Sequence, residues 1–265
     1  MAHSLTYERV RITTVRSTWI SLALAVLLPM ALAALASSPN PVYDEQGNQI
    51  GEQIDWTQGI GAPLVITAVI ASVIAAQAIG QEYRFGVIRL TLTAFPRRID
   101  VLLSKILVVA AASAVLALVS LASAWAVLAL RGYPTPPDYA VAPDAGFYIR
   151  GVLSVVLWGL SAFALAGITR QTAVGIAVPI ISGLIVEQIV AALVGSRAQW
   201  LADILPWSAL ARWGQTPAAA QPGFDPAMDP TFHEPPVGWG GVGVFAVWLA
   251  VFMALQIWSF LRRDA

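Results

Sequence analysis

The stretch Gln81–Lys105, QEYRFGVIRLTLTAFPRRIDVLLSK, decides how the chain is read. It carries Arg84, Arg89, Arg97, Arg98 and Lys105 beside Glu82 and Asp100, and it lies between two long apolar runs. A basic loop joining two membrane spans stays on the cytoplasmic side, because insertion leaves Lys and Arg behind. Tyr83, Phe85, Val87, Ile88, Leu90 and Leu92 interleave with the charges, which predicts a short helix lying at the membrane interface. Gly86 is the expected bend and Pro96 the expected stop.

The rest of the chain supports a membrane setting. Of its 265 residues 58% are hydrophobic and 11% charged, with a mean hydropathy of +0.72. Soluble domains carry about 25% charged residues, so a soluble fold is excluded. Cysteine is absent, which removes disulfides, thiolate metal sites and a Cys nucleophile. The polar segments are too short for a separate soluble domain, so residues 1–265 read as one all-α transmembrane domain.

Outward from the central basic segment (81–98), six spans are expected at about 18–37, 59–80, 101–130, 150–168, 172–194 and 237–261. Ahead of them, residues 5–17 carry Arg9, Arg11 and Arg16 among apolar positions and read as an amphipathic interfacial helix. The first span ends in ALAALASS, which resembles a signal-peptidase site, but the run is closer to span length than to a signal core. Residues 38–58 hold Asp44, Glu45, Glu52 and Asp55 with no Lys or Arg and read as an external loop. Pro134, Pro136, Pro137 and Pro143 keep residues 131–150 from forming a continuous helix. Thr169, Arg170 and Gln171 leave room only for a tight internal turn.

The fifth span contains one ionisable residue, Glu187. A carboxyl in a span is costly and marks a candidate site. Two readings stay open: a place on a substrate path or in helix packing, and a cap or anchor near the outer end. The external loop 196–236 then places Trp200, Trp207 and Trp213 on the apolar face of a short helix, as expected of a segment that dips into the outer leaflet.

Charge tests this topology. With both termini inside, eleven of the fifteen basic residues fall inside and four (Arg131, Arg150, Arg197, Arg212) outside, as the positive-inside rule demands.

The chain also lacks chemistry. Its one lysine, Lys105, stands between Ser104 and Ile106, so no phosphate-cradling G-x-x-x-x-G-K-[ST] loop is present. His3 and His233 are its only histidines and offer no zinc site or hydrolytic triad. Catalytic, cofactor-binding and metal residues are therefore assigned to none, and the chain is not read as an enzyme.

The pattern E-x-x-x-G-x-x-R-x-x-L formed by Glu82, Gly86, Arg89 and Leu92, followed by Pro96, Arg97 or Arg98 and then Lys105, resembles the membrane subunits of ABC-2 type ABC transporters. Residues Glu8–Trp19 (ERVRITTVRSTW) resemble the N-terminal segment of many such permeases. One departure is Val87, where the family often has Thr. The resemblance implies a type V exporter-like architecture: six spans, an N-terminal interfacial helix, a cytoplasmic coupling helix between spans 2 and 3, and short re-entrant helices between spans 5 and 6. It implies that Glu82, Tyr83, Arg84, Phe85, Gly86 and Arg89 face a separate ATPase subunit. ATP and Mg would bind in that partner. A second permease copy or a paralogue would complete the pathway, and no nucleic-acid partner is expected. The expected location is a bacterial plasma (inner) membrane, and the expected cargo an exported hydrophobic or amphipathic drug, lipid or peptide. The competing classes are an ATP-independent carrier or channel, which calls for more polar groups at mid-membrane, and a non-transport assembly or sensory protein.

Overall fold

A computed structural model describes residues 16–37, 40–43, 46–53, 56–94, 98–132, 145–194, 199–214 and 239–263. The expected interfacial helix at 5–17 lies outside them apart from its last two residues, as does the end of the external loop after Gly214.

Helix α1 (Arg16–Ala36) is followed by a two-stranded antiparallel ribbon, β1 (Asn40–Tyr43) and β2 (Gln49–Gln53), with Asn40 opposite Gln53 and Val42 opposite Gly51. Then come α2 (Trp56–Arg84), the short α3 (Ile88–Ala94), α4 (Arg98–Leu130) and α5 (Ala145–Thr169). The fifth span is broken into α6 (Thr172–Ile181), a π-helical turn (Ser182–Val186) and α7 (Glu187–Val194). Two short helices, α8 (Gln199–Asp203) and α9 (Pro206–Gly214), precede α10 (Trp239–Arg263). Among the described residues, six helical stretches are long and apolar enough to cross a membrane: α1, α2, α4, α5, α6–α7 and α10. The fold is that of an all-α membrane protein, with the small ribbon as an addition in the first loop.

Two helices overrun the expected spans. The second was expected to stop at Gly80, yet α2 continues to Arg84, and α4 already begins at Arg98. Nothing in Gln81–Arg84 breaks a helix; the first residue that does is Gly86. At 1.5 Å per residue the 33 residues of α4 span roughly 50 Å, well beyond a hydrocarbon core of about 30 Å. The first turns of the central basic segment are thus extensions of spans.

Between helices in lipid there is little hydrophobic drive, so close packing and internal polar satisfaction hold the bundle. Helix α2 is its centre, packed on α1, α4, α5 and α6. Its Ala68, Ala71, Ala75, Ala76 and Ala78 are buried, and such small side chains let neighbouring backbones come close. Several buried hydroxyls bond within their own helix: Thr67 Oγ1 donates to Pro63 O (2.8 Å) and Ser161 Oγ to Trp158 O (2.7 Å). That removes most of their cost in an apolar medium. Span 5 is the least enclosed, presenting Ile181, Leu184, Ile185 and Ile189 on the surface.

Each end of the bundle has its own ties. At one end, which we call the basic end, Arg98 Nη1 donates to Leu261 O (3.4 Å), and the Arg170 guanidinium lies 5.2 Å from the centre of the Tyr83 ring. Arg170 adopts φ +58° in a turn of Arg170 and Gln171, so α5 and α6 form the tight hairpin expected of 169–171. At the far end, Arg131 Nη1 reaches Ser37 O (3.3 Å), and Tyr148 packs on Trp125 and Phe147.

Candidate functional site at the ends of α2 and α4

Helix α2 ends because Gly86 turns left-handed, with φ +67°. Phe85 N–H donates to Gln81 O (3.0 Å) and Gly86 N–H to Tyr83 O (3.2 Å), which closes the last carbonyls of the helix. The chain then swings into α3. There Ile88 and Thr91 are buried, while Leu90 is 70% exposed and Phe85, just before the turn, is 67% exposed. The Arg84 guanidinium sits 5.6 Å from the Phe85 ring centre and frames that apolar knob with charge. Arg89 lies in α3, between Ile88 and Leu90. Pro96 and Arg97 fall outside the described residues.

Beneath this exposed edge is a buried ion pair. Lys105 Nζ donates to Glu82 Oε1 at 2.5 Å and to Ala78 O at 3.4 Å, and the two residues are 1% and 4% exposed. Removing a carboxylate and an ammonium from water costs several kcal/mol each, so they persist inside only as a close, hydrogen-bonded pair. The pair ties the last turn of α2 to the second turn of α4, on either side of α3. Glu82, expected to face the ATPase, therefore points into the protein.

The neighbouring connection locks on as well. A Cβ at Gly80 would lie 2.9 Å from both Thr172 N and Thr172 Cα, so the start of α6 sits directly on α2. With Arg170 over Tyr83 and Arg98 on Leu261, the basic ends of five spans are joined into one plate that carries α3.

Glu187 occupies a different place. It is buried, and its Oε2 accepts the Ser208 N–H at 2.5 Å. Ser208 is the third residue of α9, so this carboxylate caps another helix. Trp248 Nε1–H donates to Ile204 O (2.9 Å) at the bend between α8 and α9. Trp207 packs on Trp158 (6.3 Å between ring centres) and on Phe252 (6.4 Å). Trp158 is thirteen residues into α5, roughly 20 Å along it, so the start of α9 lies deep between the spans, while Ile204 at the bend stays exposed.

Sequence reasoning named Glu82, Tyr83, Arg84, Phe85, Gly86, Arg89 and Glu187. It missed Lys105 as Glu82's partner, although a sole lysine at the edge of a span was a signal. It read Trp207 as an interfacial ring, whereas the residue is in the core.

No curated protein matches the chain significantly. The sequence profile described as ABC-2 family transporter protein matches residues 5–186, from the N-terminal segment through most of span 5 and well over half of the chain. The chain is a member of the ABC-2 family of transporter membrane proteins.

Proposed function

We propose that this permease is driven by a separate ATPase subunit that docks on the edge made by the exposed Arg84, Phe85 and Gly86, with the half-buried Tyr83 beside them and Arg89 contributed by the adjoining α3. The observation that carries the reading is the buried Lys105–Glu82 pair directly behind that edge. A push on a loop held only by its covalent ends is absorbed by the loop. A push on α3 is not, because α2 and α4 are pinned together at its two ends. Displacement at Phe85 thus reaches spans 2 and 3 together and, through Thr172 and Arg170, the α5–α6 hairpin. Gly86 supplies the turn, Phe85 and Arg89 the contact, Arg84 a polar partner, and Glu82 acts from inside.

In this reading ATP and Mg bind in the partner, whose closure rocks the spans between inward-facing and outward-facing states. A second copy or a paralogue completes the pathway. The basic end faces the cytoplasm of a bacterium, in line with the distribution of Arg and Lys. The apolar bundle suits export of a hydrophobic or amphipathic cargo.

The test is co-purification of the tagged chain with an ABC ATPase subunit from its native membrane, followed by hydrolysis in lipid. Phe85→Asp and Arg89→Glu are expected to abolish the association while the chain still inserts. Undiminished co-purification of both variants would refute this docking edge.

A further inference from the structure

The fifth span changes its winding at one place. Pro179 has no N–H to give, which weakens the helical ladder there. From Ser182 to Val186 the chain winds as a π-helix, and Glu187 N–H donates to Ser182 O, five residues back. One residue inserted into a helix turns everything after it by about 100°. Gln188 Nε2–H donates to Gly183 O (3.4 Å) and occupies a carbonyl of the widened turn. Gly183 also leaves room for α9: a Cβ there would come within 2.6 Å of the Trp158 ring and 2.9 Å of Trp207 Cβ.

The side chain delivered immediately after that turn is Glu187. It meets α9 at its first turn, where helical N–H groups have no partner of their own and the helix carries partial positive charge. Backbone that leaves regular structure at membrane depth persists only where protein satisfies it. Here two flanking spans do so, α7 through Glu187 and α10 through Trp248.

We propose that Glu187 is the clasp that holds α9 inside the bundle, and that the π turn is the joint that aims it. Helix α9 then moves with the α7 half of span 5, and rotation at the joint withdraws its tip from Trp158 and Phe252. The far end of the bundle opens by this route. The proposal does not rest on the docking edge, and Glu187 lies just beyond the matched residues 5–186.

The chain has no cysteine, so Ala209→Cys is a clean reporter: Ala209 is 1% exposed, and its carbonyl lies against Gly241 in the first turn of α10. Its maleimide labelling rate is measured in nanodiscs, where reagent reaches both faces. Glu187→Ala is expected to raise the rate at least tenfold, while Glu187→Gln, which still presents an oxygen to Ser208 N–H, stays within threefold of the parent. Ser208→Pro deletes the N–H donor instead and should match Glu187→Ala, with no further rise in the double variant. Deleting Ile185 keeps Glu187 but swings it away, and should also raise the rate tenfold. A Glu187→Ala rate within twofold of the parent overturns the clasp, as do effects of Glu187→Ala and Ser208→Pro that multiply. An unchanged rate on deleting Ile185 overturns the joint. If Glu187→Ala does not accumulate, Ser208→Pro against Ser208→Ala decides, because only the proline removes the donor. Equal rates for those two overturn the clasp.

Discussion

Lys105 and Glu82 stand 23 positions apart in sequence and 2.5 Å apart in space, and neither residue is more than 4% exposed. Their pairing turns two helix ends and the loop between them into one mechanical unit.

Breaking that pair from one side leaves a buried charge alone. Glu82→Met or Lys105→Leu alone is expected to lower stability by about 3–5 kcal/mol, whereas a buried pair replaced by apolar side chains of similar size is often neutral or better. The double variant Glu82→Met with Lys105→Leu should therefore recover most of the loss. Thermal unfolding in detergent compares the four proteins. A double variant as unstable as the sum of the singles would mean that the two charges do not depend on each other.

Gly80 separates packing from propensity. In a helix interior Ala is favoured over Gly by about 1 kcal/mol. A Cβ at this position, however, would press on the backbone of Thr172 at 2.9 Å. Over-packing against backbone costs about 1–3 kcal/mol, so Gly80→Ala should lower the melting temperature rather than raise it. It should also spread the α5–α6 hairpin from α2, which increased labelling of a cysteine at Thr172 would report. An increase in melting temperature would show that the hairpin gives way freely.

What could be read from sequence was whatever depends on local chain chemistry. Six apolar runs announced six helical spans, because span length is set by bilayer thickness. Gly86 and the tight 169–171 turn were legible because turns need particular backbone angles at particular residues. Relations across the fold were not. Glu82 looked like a surface charge because its partner lies beyond a seven-residue helix and a loop. The ribbon at 40–53 escaped notice because Pro41 and Gly51 sit inside its strands, where both residues weaken a strand signal. Glu187 had two readings because which face it takes depends on a π turn that no residue pattern announced. Trp207 looked interfacial because a loop tryptophan gives no sign of how deeply its loop re-enters.

Trp248 is the second support of the α8–α9 bend. Its indole N–H bonds Ile204 O at 2.9 Å, and its ring packs 5.8 Å from Phe252. Trp248→Phe keeps a ring and removes the donor. Interhelical hydrogen bonds in membrane proteins contribute about 0.6–2 kcal/mol, so the melting temperature should fall slightly. The local effect should be larger: hydrogen exchange at Trp200–Leu205 is expected to speed up, with exchange in α2 unchanged. Uniform acceleration through both segments would point to general loosening of the bundle rather than to a support at the bend.

Gly86 provides the sharpest test of the turn that leads into α3. Its φ of +67° lies where side chains with a β-branch are strained, yet nothing lies within 4 Å of the space a Cβ would take. Substitution there meets a conformational cost of about 1–3 kcal/mol and no collision. Asn tolerates this region and Val does not, so the two substitutions differ in strain and little else. Gly86→Asn should preserve ATPase association and ATP-dependent transport, and Gly86→Val should lose both while the spans still insert and the melting temperature falls by only the several degrees that a strain of about 1–3 kcal/mol implies. The measurement is co-purification with the ATPase alongside transport in proteoliposomes. Equal behaviour of the Asn and Val variants would show that docking does not depend on the left-handed turn, and that α3 can be presented by more than one path of the chain.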